Sequence, residues 1–236
     1  MQDVRVLVAP FLERTVQGKC FWPFMRIAAR APIDGYSMVE TPWQREDIAR
    51  ERAVEALLSN DRYTHILMLD IDHEHPEDIV KRLSRWVGAD PARGVVGALC
   101  FRRGPEYEPM AFIKGPDGKY IFPYPCRDIG LVEVDRIGLG ACLIDRRVFE
   151  ALPQRGWFTY TYDRLLPEGV WPDTSLVFSD RVKGAGLRIF VDTTTVSPHW
   201  TDGWVDDKTL DSYIAKQKWE AKRRRAAARA AKGGKT

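Results

Sequence analysis

This 236-residue chain is short of several features, and each shortage closes a class of function. No apolar run approaches the ~20 residues that a membrane-spanning helix needs. The run nearest the start, Val4 to Ala9, is brief and follows Asp3 and Arg5, so it reads as a strand and not as a secretory leader. The four cysteines, Cys20, Cys100, Cys126 and Cys142, lie far apart with no C-x-x-C spacing. That argues against a zinc or dithiol centre and for reduced thiols in a cytoplasmic protein. No G-x-G-x-x-G follows the first apolar run, so the dinucleotide-binding loop is missing too.

What remains is the composition of a folded protein with a large core: 44% hydrophobic, 11% aromatic and 29% charged residues. The formal charge of +3 is unevenly placed. From Lys216 to Thr236 nine Lys or Arg face the single Glu220, which leaves the rest of the chain net acidic. An acidic body with a cationic extension fits a catalytic unit carrying an electrostatic handle for a polyanion.

Hydrophobic patterning orders the elements. Val4 to Ala9, stopped by Pro10, Gly35 to Thr41, His65 to Leu69 and Val95 to Leu99 read as strands. Helices are expected over Cys20 to Arg30, over Trp43 to Ser59, and after Pro76, where Ile79, Val80, Leu83, Trp86 and Val87 share a face. This alternation predicts a parallel sheet with helices packed on it. Met110 to Ile113, Lys119 to Phe122, Leu131 to Ile137 and Ala141 to Ile144 are short β-like runs between Gly and Pro turns, expected as an antiparallel or mixed extension of the sheet. A helix from Arg146 to Leu152, another from Asp173 to Ala185, a strand from Leu187 to Val191 and a helix capped by Asp206 or Asp207 complete the order.

The sharpest chemical signal is Asp70-Ile71-Asp72, at the carboxyl end of an apolar strand. Open α/β sheets bind ligands at that edge, and two carboxylates so close together invite a cation. Mg²⁺ or Mn²⁺ takes one or two carboxylates and keeps its other positions for water and phosphate oxygens, which suits a nucleoside diphosphate.

In this setting four ordered blocks carry a resemblance: VRVLVAP, IARERAVEALLSNDRYTHILMLDIDHEHPEDIVKRL, VDRIGLGACLIDRRVFEAL and WPDTSLVFSDRVKGAGLRIFVDTTTVSPHW. Together they resemble the GT-A glycosyltransferases related to glycosyltransferase family 2, small soluble phage-encoded enzymes among them. The resemblance implies an α/β fold, a GT-A-like mixed and mainly parallel sheet flanked by helices, with a short antiparallel extension and a basic C-terminal tail. It implies a glycosyltransferase domain over residues 1–204, with a nucleotide-binding half at 1–100 and an acceptor-binding half at 101–204, followed by a helix and basic tail at 205–236.

Carried onto single residues, the resemblance sets Pro10 and Arg14 beside the nucleoside, and Arg50 or Arg52 near the diphosphate or sugar. It gives Asp70 a ribose, sugar or metal contact, and Asp72 and His199 the metal. Gly138 and Gly140 would let the donor sugar approach the backbone. Asp173 stands where inverting members carry the general base, although the preceding acid is replaced by Pro172, and helix N-cap is its other reading. The donor is a nucleotide-sugar, expected to be a UDP-sugar.

Trp157, Phe158, Tyr160, Tyr162 and Trp171 crowd the segment before Asp173 and mark the expected acceptor site, since such rings stack on sugars and bases. Lys222, Arg223, Arg224, Arg225 and Arg229 would grip phosphates, and with the resemblance to phage-encoded enzymes they point to a hydroxymethylated pyrimidine in DNA as acceptor. The competing readings are a cell-envelope glycan or protein acceptor, a metal-dependent nucleotidyltransferase, and a non-enzymatic nucleic-acid-binding protein.

Overall fold

The computed structural model describes residues 4–11, 16–41, 44–87, 90, 92–122, 126–153, 155–158, 174–201 and 204–233, and beyond residue 222 only Arg224 is described at its side chain. Along the first half run β1 (Val6–Phe11), α1 (Gly18–Asp34), β2 (Ser37–Met38), α2 (Glu46–Leu58), β3 (His65–Asp70), α3 (Ile79–Ser84) and β4 (Arg93–Leu99). Then come β5 (Ala111–Lys114), β6 (Tyr120–Ile121), β7 (Leu131–Val134), β8 (Arg136–Ile137), β9 (Ala141–Asp145) and α4 (Arg146–Ala151). The chain closes with α5 (Thr174–Gly184), β10 (Arg188–Val196), β11 (His199–Trp200), β12 (Trp204–Val205) and α6 (Asp207–Gly233).

Seven strands form the main sheet in the order β2-β1-β3-β9-β4-β10-β7. β1, β2 and β3 pair in parallel, as do β4 and β10, while β9 runs antiparallel to both β3 and β4 and β7 runs antiparallel to β10. The expected mixed, mainly parallel sheet is therefore present, with short antiparallel pairings of β5, β6 and β8 beside it. One expectation is corrected: β9 does not extend the sheet but sits at its centre. Ala141, Cys142, Leu143 and Ile144 have no exposed surface and alternate between the two core clusters, and hydrogen bonding to β3 on one side and β4 on the other makes the strand central.

Pairing alternates two apolar sets across the sheet. Leu7, Ala9, Ile66 and Met68 pack with Val54 and Leu57 of α2, Phe149 of α4 and Phe178 of α5. Val6, Val8, Leu67 and Leu69 pack with Ile27 of α1 and with Ile79 and Leu83 of α3. Each such side chain, fully buried, contributes roughly 1.5–3 kcal/mol of transfer free energy.

Several boundaries move for identifiable reasons. β1 does not stop at Pro10 but passes through it to Phe11, which pairs with Asp70. The Val8 carbonyl accepts from Val39 on the β2 side, so the missing Pro10 N–H also faces β2, past the end of that strand's pairing at Met38. Gly35 does not open a strand; it closes α1 at φ 77°, donating its N–H to the Ala31 carbonyl, which leaves only Ser37 and Met38 to pair. Leu131 to Ile137 divides at Asp135, whose N–H donates to the Phe112 carbonyl. β10 outruns the expected Leu187 to Val191 because its buried polar residues are satisfied: Asp192 accepts from Thr194 Oγ1 at 2.6 Å, Thr195 Oγ1 at 2.7 Å and Arg85 at 3.0 Å. α6 starts docked, with Leu210 buried, and its backbone continues to Gly233.

All four cysteines are free and buried, as the spacing suggested.

Candidate active site

At the carboxyl edge of the sheet, β3 ends on Asp70 and the chain turns through Ile71 and Asp72. A backbone clasp then joins this turn to the far end of the chain. His73 bridges His199, the Trp200 N–H donates to the Asp72 carbonyl at 2.8 Å, and the Glu74 N–H donates to the Pro198 carbonyl at 2.9 Å. His199 thereby comes to Asp72 across 127 positions of sequence.

The two carboxylates enter different networks. Asp70 Oδ1 accepts from Arg50 Nη2 at 2.8 Å. Arg50 also donates to Glu46 at 2.9 Å and to the Leu139 carbonyl at 3.5 Å, and its guanidinium lies 4.5 Å above the Phe11 ring. Arg50 is 1% exposed. Burial alone opposes its charge, but Asp70 and Glu46 outweigh that and hold the guanidinium above its ordinary pKa.

Asp72 is built differently. Its Oδ1 accepts from His73 Nδ1 at 2.9 Å, and its Oδ2 lies 3.1 Å from His199 Nε2. The Phe101 carbonyl, 2.9 Å from His199 Nδ1, can only accept, so Nδ1 carries the proton. Arg103 then donates from Nε to His199 Nε2 at 2.6 Å and from Nη2 to Asp72 Oδ2. One carboxylate oxygen and one imidazole lone pair therefore converge on a single cationic group. His73 stacks on His199 with ring centroids 4.1 Å apart, and ligand atoms of Asp72, His73 and His199 lie within 4.8 Å of one another. Burial first, and His199 second, push His73 down to about 3, so its ring is neutral near pH 7.

Oxygen and imidazole donors of this kind fit Mn²⁺ or Mg²⁺. His73 holds the Asp72 carboxylate in orientation, the arrangement by which a neighbouring group commonly fixes a metal ligand. Asp70 lies outside this cluster of three, with Oδ1 committed to Arg50.

His75 completes the edge. Its Nε2 donates to the Asp70 carbonyl at 2.8 Å and its Nδ1 accepts from Ser197 Oγ at 2.7 Å; burial first holds it neutral, down at about 3.

A cavity of about 580 Å³ opens beside these residues, lined among others by Glu46, Arg50, Asp70, His73, Arg103, Gly138, Gly140, Ser175 and His199. A Cβ on Gly140 would stand 2.9 Å from His73 Cε1, so the ring that this glycine admits in the structure is the protein's own imidazole. A Cβ on Gly138 would stand 2.8 Å from Met110 Cβ. Pro10 is buried in β1 opposite Leu69. Arg50 lines the cavity and Arg52, two positions along α2, is exposed and does not.

Arg14 and Asp173 lie outside the described residues, as do Tyr160, Tyr162 and Trp171. Thr174, which follows Asp173, donates to Glu46 Oε1 at 3.3 Å, and Ser175 lines the cavity, so α5 begins at the cavity wall. Trp157 and Phe158 do not form an acceptor surface. They are buried against Phe149, and Phe158 stacks on Phe178 at 4.8 Å. Lys222 and Arg224 are exposed on α6, where Arg224 reaches Glu220 at 3.5 Å; the side chains of Arg223, Arg225 and Arg229 lie outside the description.

Sequence reasoning missed Glu46, His73, His75 and Arg103. The run Asp70-Ile71-Asp72-His73-Glu74-His75 carries a titratable side chain at every position but Ile71, and that density was the available signal for both histidines. Nothing local in the sequence marks Arg103.

No protein-family model and no curated protein matches the chain. Among solved structures, A197 from STIV aligns with a TM-score of 0.53 at 16% identity, covering 85% of this chain and 87% of that one. Glucosyl-3-phosphoglycerate synthase from Mycobacterium tuberculosis, in complex with Mn²⁺, UDP and glucosyl-3-phosphoglycerate, aligns at 0.43 and 12% identity, covering 85% and 73%. CMP:2-keto-3-deoxy-manno-octonic acid synthetase complexed with CTP aligns at 0.45 and 15% identity, covering 92% and 98%. The chain shares its fold with A197 over most of both molecules. Activity has to be argued from the site, because one fold hosts many chemistries. Among the described residues no helix is long and apolar enough to cross a membrane.

Proposed function

We propose that the chain is a metal-dependent glycosyltransferase that moves a sugar from a nucleotide-sugar, a UDP-sugar, to a hydroxyl acceptor. The observation that carries this reading is the convergence of Asp72 Oδ2 and His199 Nε2 on one cationic position beside a cavity. The resemblance of four ordered sequence blocks to GT-A glycosyltransferases supports it.

In this reading Asp72 and His199 hold Mn²⁺ or Mg²⁺, with His73 orienting Asp72. The bound ion supplies positive charge where negative charge grows on the departing diphosphate. Arg50, fixed by Glu46, presents Asp70 at the cavity wall for the ribose or sugar hydroxyls. Gly138 and Gly140 line the donor side of that wall, where they give room to Met110 and His73. Asp173, the residue that precedes Thr174 in the sequence, takes the proton from the acceptor hydroxyl as it attacks the anomeric carbon. Residues 1–204 form the catalytic domain, and the helix and tail of 205–236 deliver the acceptor.

The acceptor we favour is a hydroxymethylated pyrimidine in DNA. Its support is the basic run from Lys222 to Arg229 on a helical backbone, which suits sequence-independent phosphate contacts.

Calorimetric titration of UDP and GDP, with and without Mn²⁺, tests the donor half. UDP is expected to bind only with the metal; the absence of any metal-dependent affinity for a nucleoside diphosphate sinks the reading. Mass spectrometry of hydroxymethylated DNA incubated with UDP-sugars tests the acceptor half, the expected product being heavier by one sugar residue. A nucleotidyltransferase would instead release pyrophosphate from a nucleoside triphosphate and a sugar phosphate.

A further inference from the structure

Arg103 sits where the ion of the proposed site belongs. It lies past the end of β4 on the segment after Phe101, whose carbonyl fixes the His199 tautomer. Its two nitrogens donate to the two atoms, His199 Nε2 and Asp72 Oδ2, that would otherwise be apposed acceptors 3.1 Å apart. Two acceptors at that distance repel unless a donor or a cation lies between them, and here one guanidinium satisfies both. The side chain is about half exposed, 49%, and it also lines the cavity, so it has an open path away from this position.

We propose that Arg103 is an exchangeable internal cation. Without metal it holds Asp72 and His199 together; when a divalent ion takes those two atoms, Arg103 turns into the cavity and pairs with the diphosphate of the donor. The inference rests on the metal-site reading of Asp72 and His199, and it adds a residue to donor recognition that the sequence did not mark.

The physical argument is competition followed by reuse. The one Nε2 lone pair of His199 cannot serve the guanidinium and an ion at once, and a guanidinium kept on Asp72 Oδ2 would face the charge of the ion. Occupancy by Arg103 therefore lowers the apparent affinity for free metal by the fraction of molecules in which the position is vacant. A guanidinium displaced by a dication is repelled by it and attracted to the nearest polyanion, and its planar fork matches phosphate oxygens in a two-point contact. Metal and nucleotide together then satisfy all three partners, whereas metal alone costs Arg103 its contacts with Asp72 and His199. The exchange makes metal binding depend on the nucleotide.

The test compares wild type with Arg103→Ala in two titrations. Mn²⁺ alone, followed by electron paramagnetic resonance of the free ion, is expected to bind the variant about tenfold more tightly. UDP at saturating Mn²⁺, followed by calorimetry, is expected to bind the variant about tenfold more weakly. Equal Mn²⁺ affinity in the two proteins, or weaker affinity in the variant, overturns the exchange whatever happens to UDP. Unchanged UDP affinity overturns the diphosphate contact. If neither protein binds Mn²⁺ with or without UDP, the metal-site reading itself has failed, an outcome distinct from binding that is equal in both.

Discussion

Asp70 and Asp72 are separated by one residue on one turn, yet they live in opposite electrostatic settings. Asp70 faces a guanidinium that is itself buried, braced by Glu46 and roofed by the Phe11 ring, so its partner cannot leave. Asp72 faces two imidazoles and a guanidinium that is half exposed. The difference teaches that a pair of carboxylates at a strand end need not act as a pair. One braces the sheet edge and shapes the cavity; the other is held by imidazoles and by a cation that reaches the surface.

Asparagine at each position tests this division. Asp72→Asn removes the anionic donor while keeping the shape, and turnover is expected to fall about 10³-fold in a transfer assay, the scale of losing one preorganised electrostatic contact in the transition state. Its unfolding free energy is expected to stay within about 1 kcal/mol of wild type, because the pair it breaks is partly solvated. Urea unfolding of the same variant checks that half; a large loss of stability there would make Asp72 a structural residue. Asp70→Asn should do the reverse. It leaves Arg50 buried with Glu46 as its remaining anionic partner, a defect of about 2–3 kcal/mol after allowance for the partial exposure of both carboxylates. An unchanged unfolding midpoint would break the comparison.

Gly140→Ala sharpens the Asp72 side alone. The new Cβ would press on His73, which is fully buried and held between His199 at 4.1 Å and His75 at 5.5 Å, so the ring has little room to yield. His73 orients Asp72, and disturbing such a supporting group is expected to weaken Mn²⁺ binding in the presence of UDP about tenfold. Equal Mn²⁺ affinity in the variant would show that His73 does not set the carboxylate.

How much of this was legible in the sequence follows from which interactions are local. The runs Val4 to Ala9, His65 to Leu69 and Val95 to Leu99 announced β1, β3 and β4 through apolar density, and the Asp70-Ile71-Asp72 turn announced itself through position alone. The central place of β9 was not legible, because a run of five buried residues looks the same at the edge of a sheet and in its middle; only pairing with β3 and β4 distinguishes them. Gly140 drew notice as a small residue, but the ring it admits belongs to His73, a contact across the turn that spacing does not encode. Trp157 and Phe158 looked like a sugar-stacking surface because aromatic character is shared by cores and binding loops; their burial against Phe149 and Phe178 decides between them. Arg103 reaches His199 across 96 positions, with no periodic or local trace.

Arg50 and Arg52 were equivalent candidates by sequence, and the helix separates them. At 100° per residue, two positions along α2 are about 200° apart, so one arginine enters the protein and the other leaves it. Arg50 accordingly meets Asp70, Glu46 and the Leu139 carbonyl, while Arg52 is exposed and away from the cavity. Arg52→Ala is therefore the smallest change expected: no shift in UDP affinity with Mn²⁺ and at most about 0.5 kcal/mol in unfolding free energy, as for an ordinary surface site. Arg50→Met in the same assays removes the brace under Asp70 and should lower both. If instead Arg52→Ala weakens UDP binding while Arg50→Met does not, the donor lies on the outer face of α2, and the division of labour between the two carboxylates has to be drawn again.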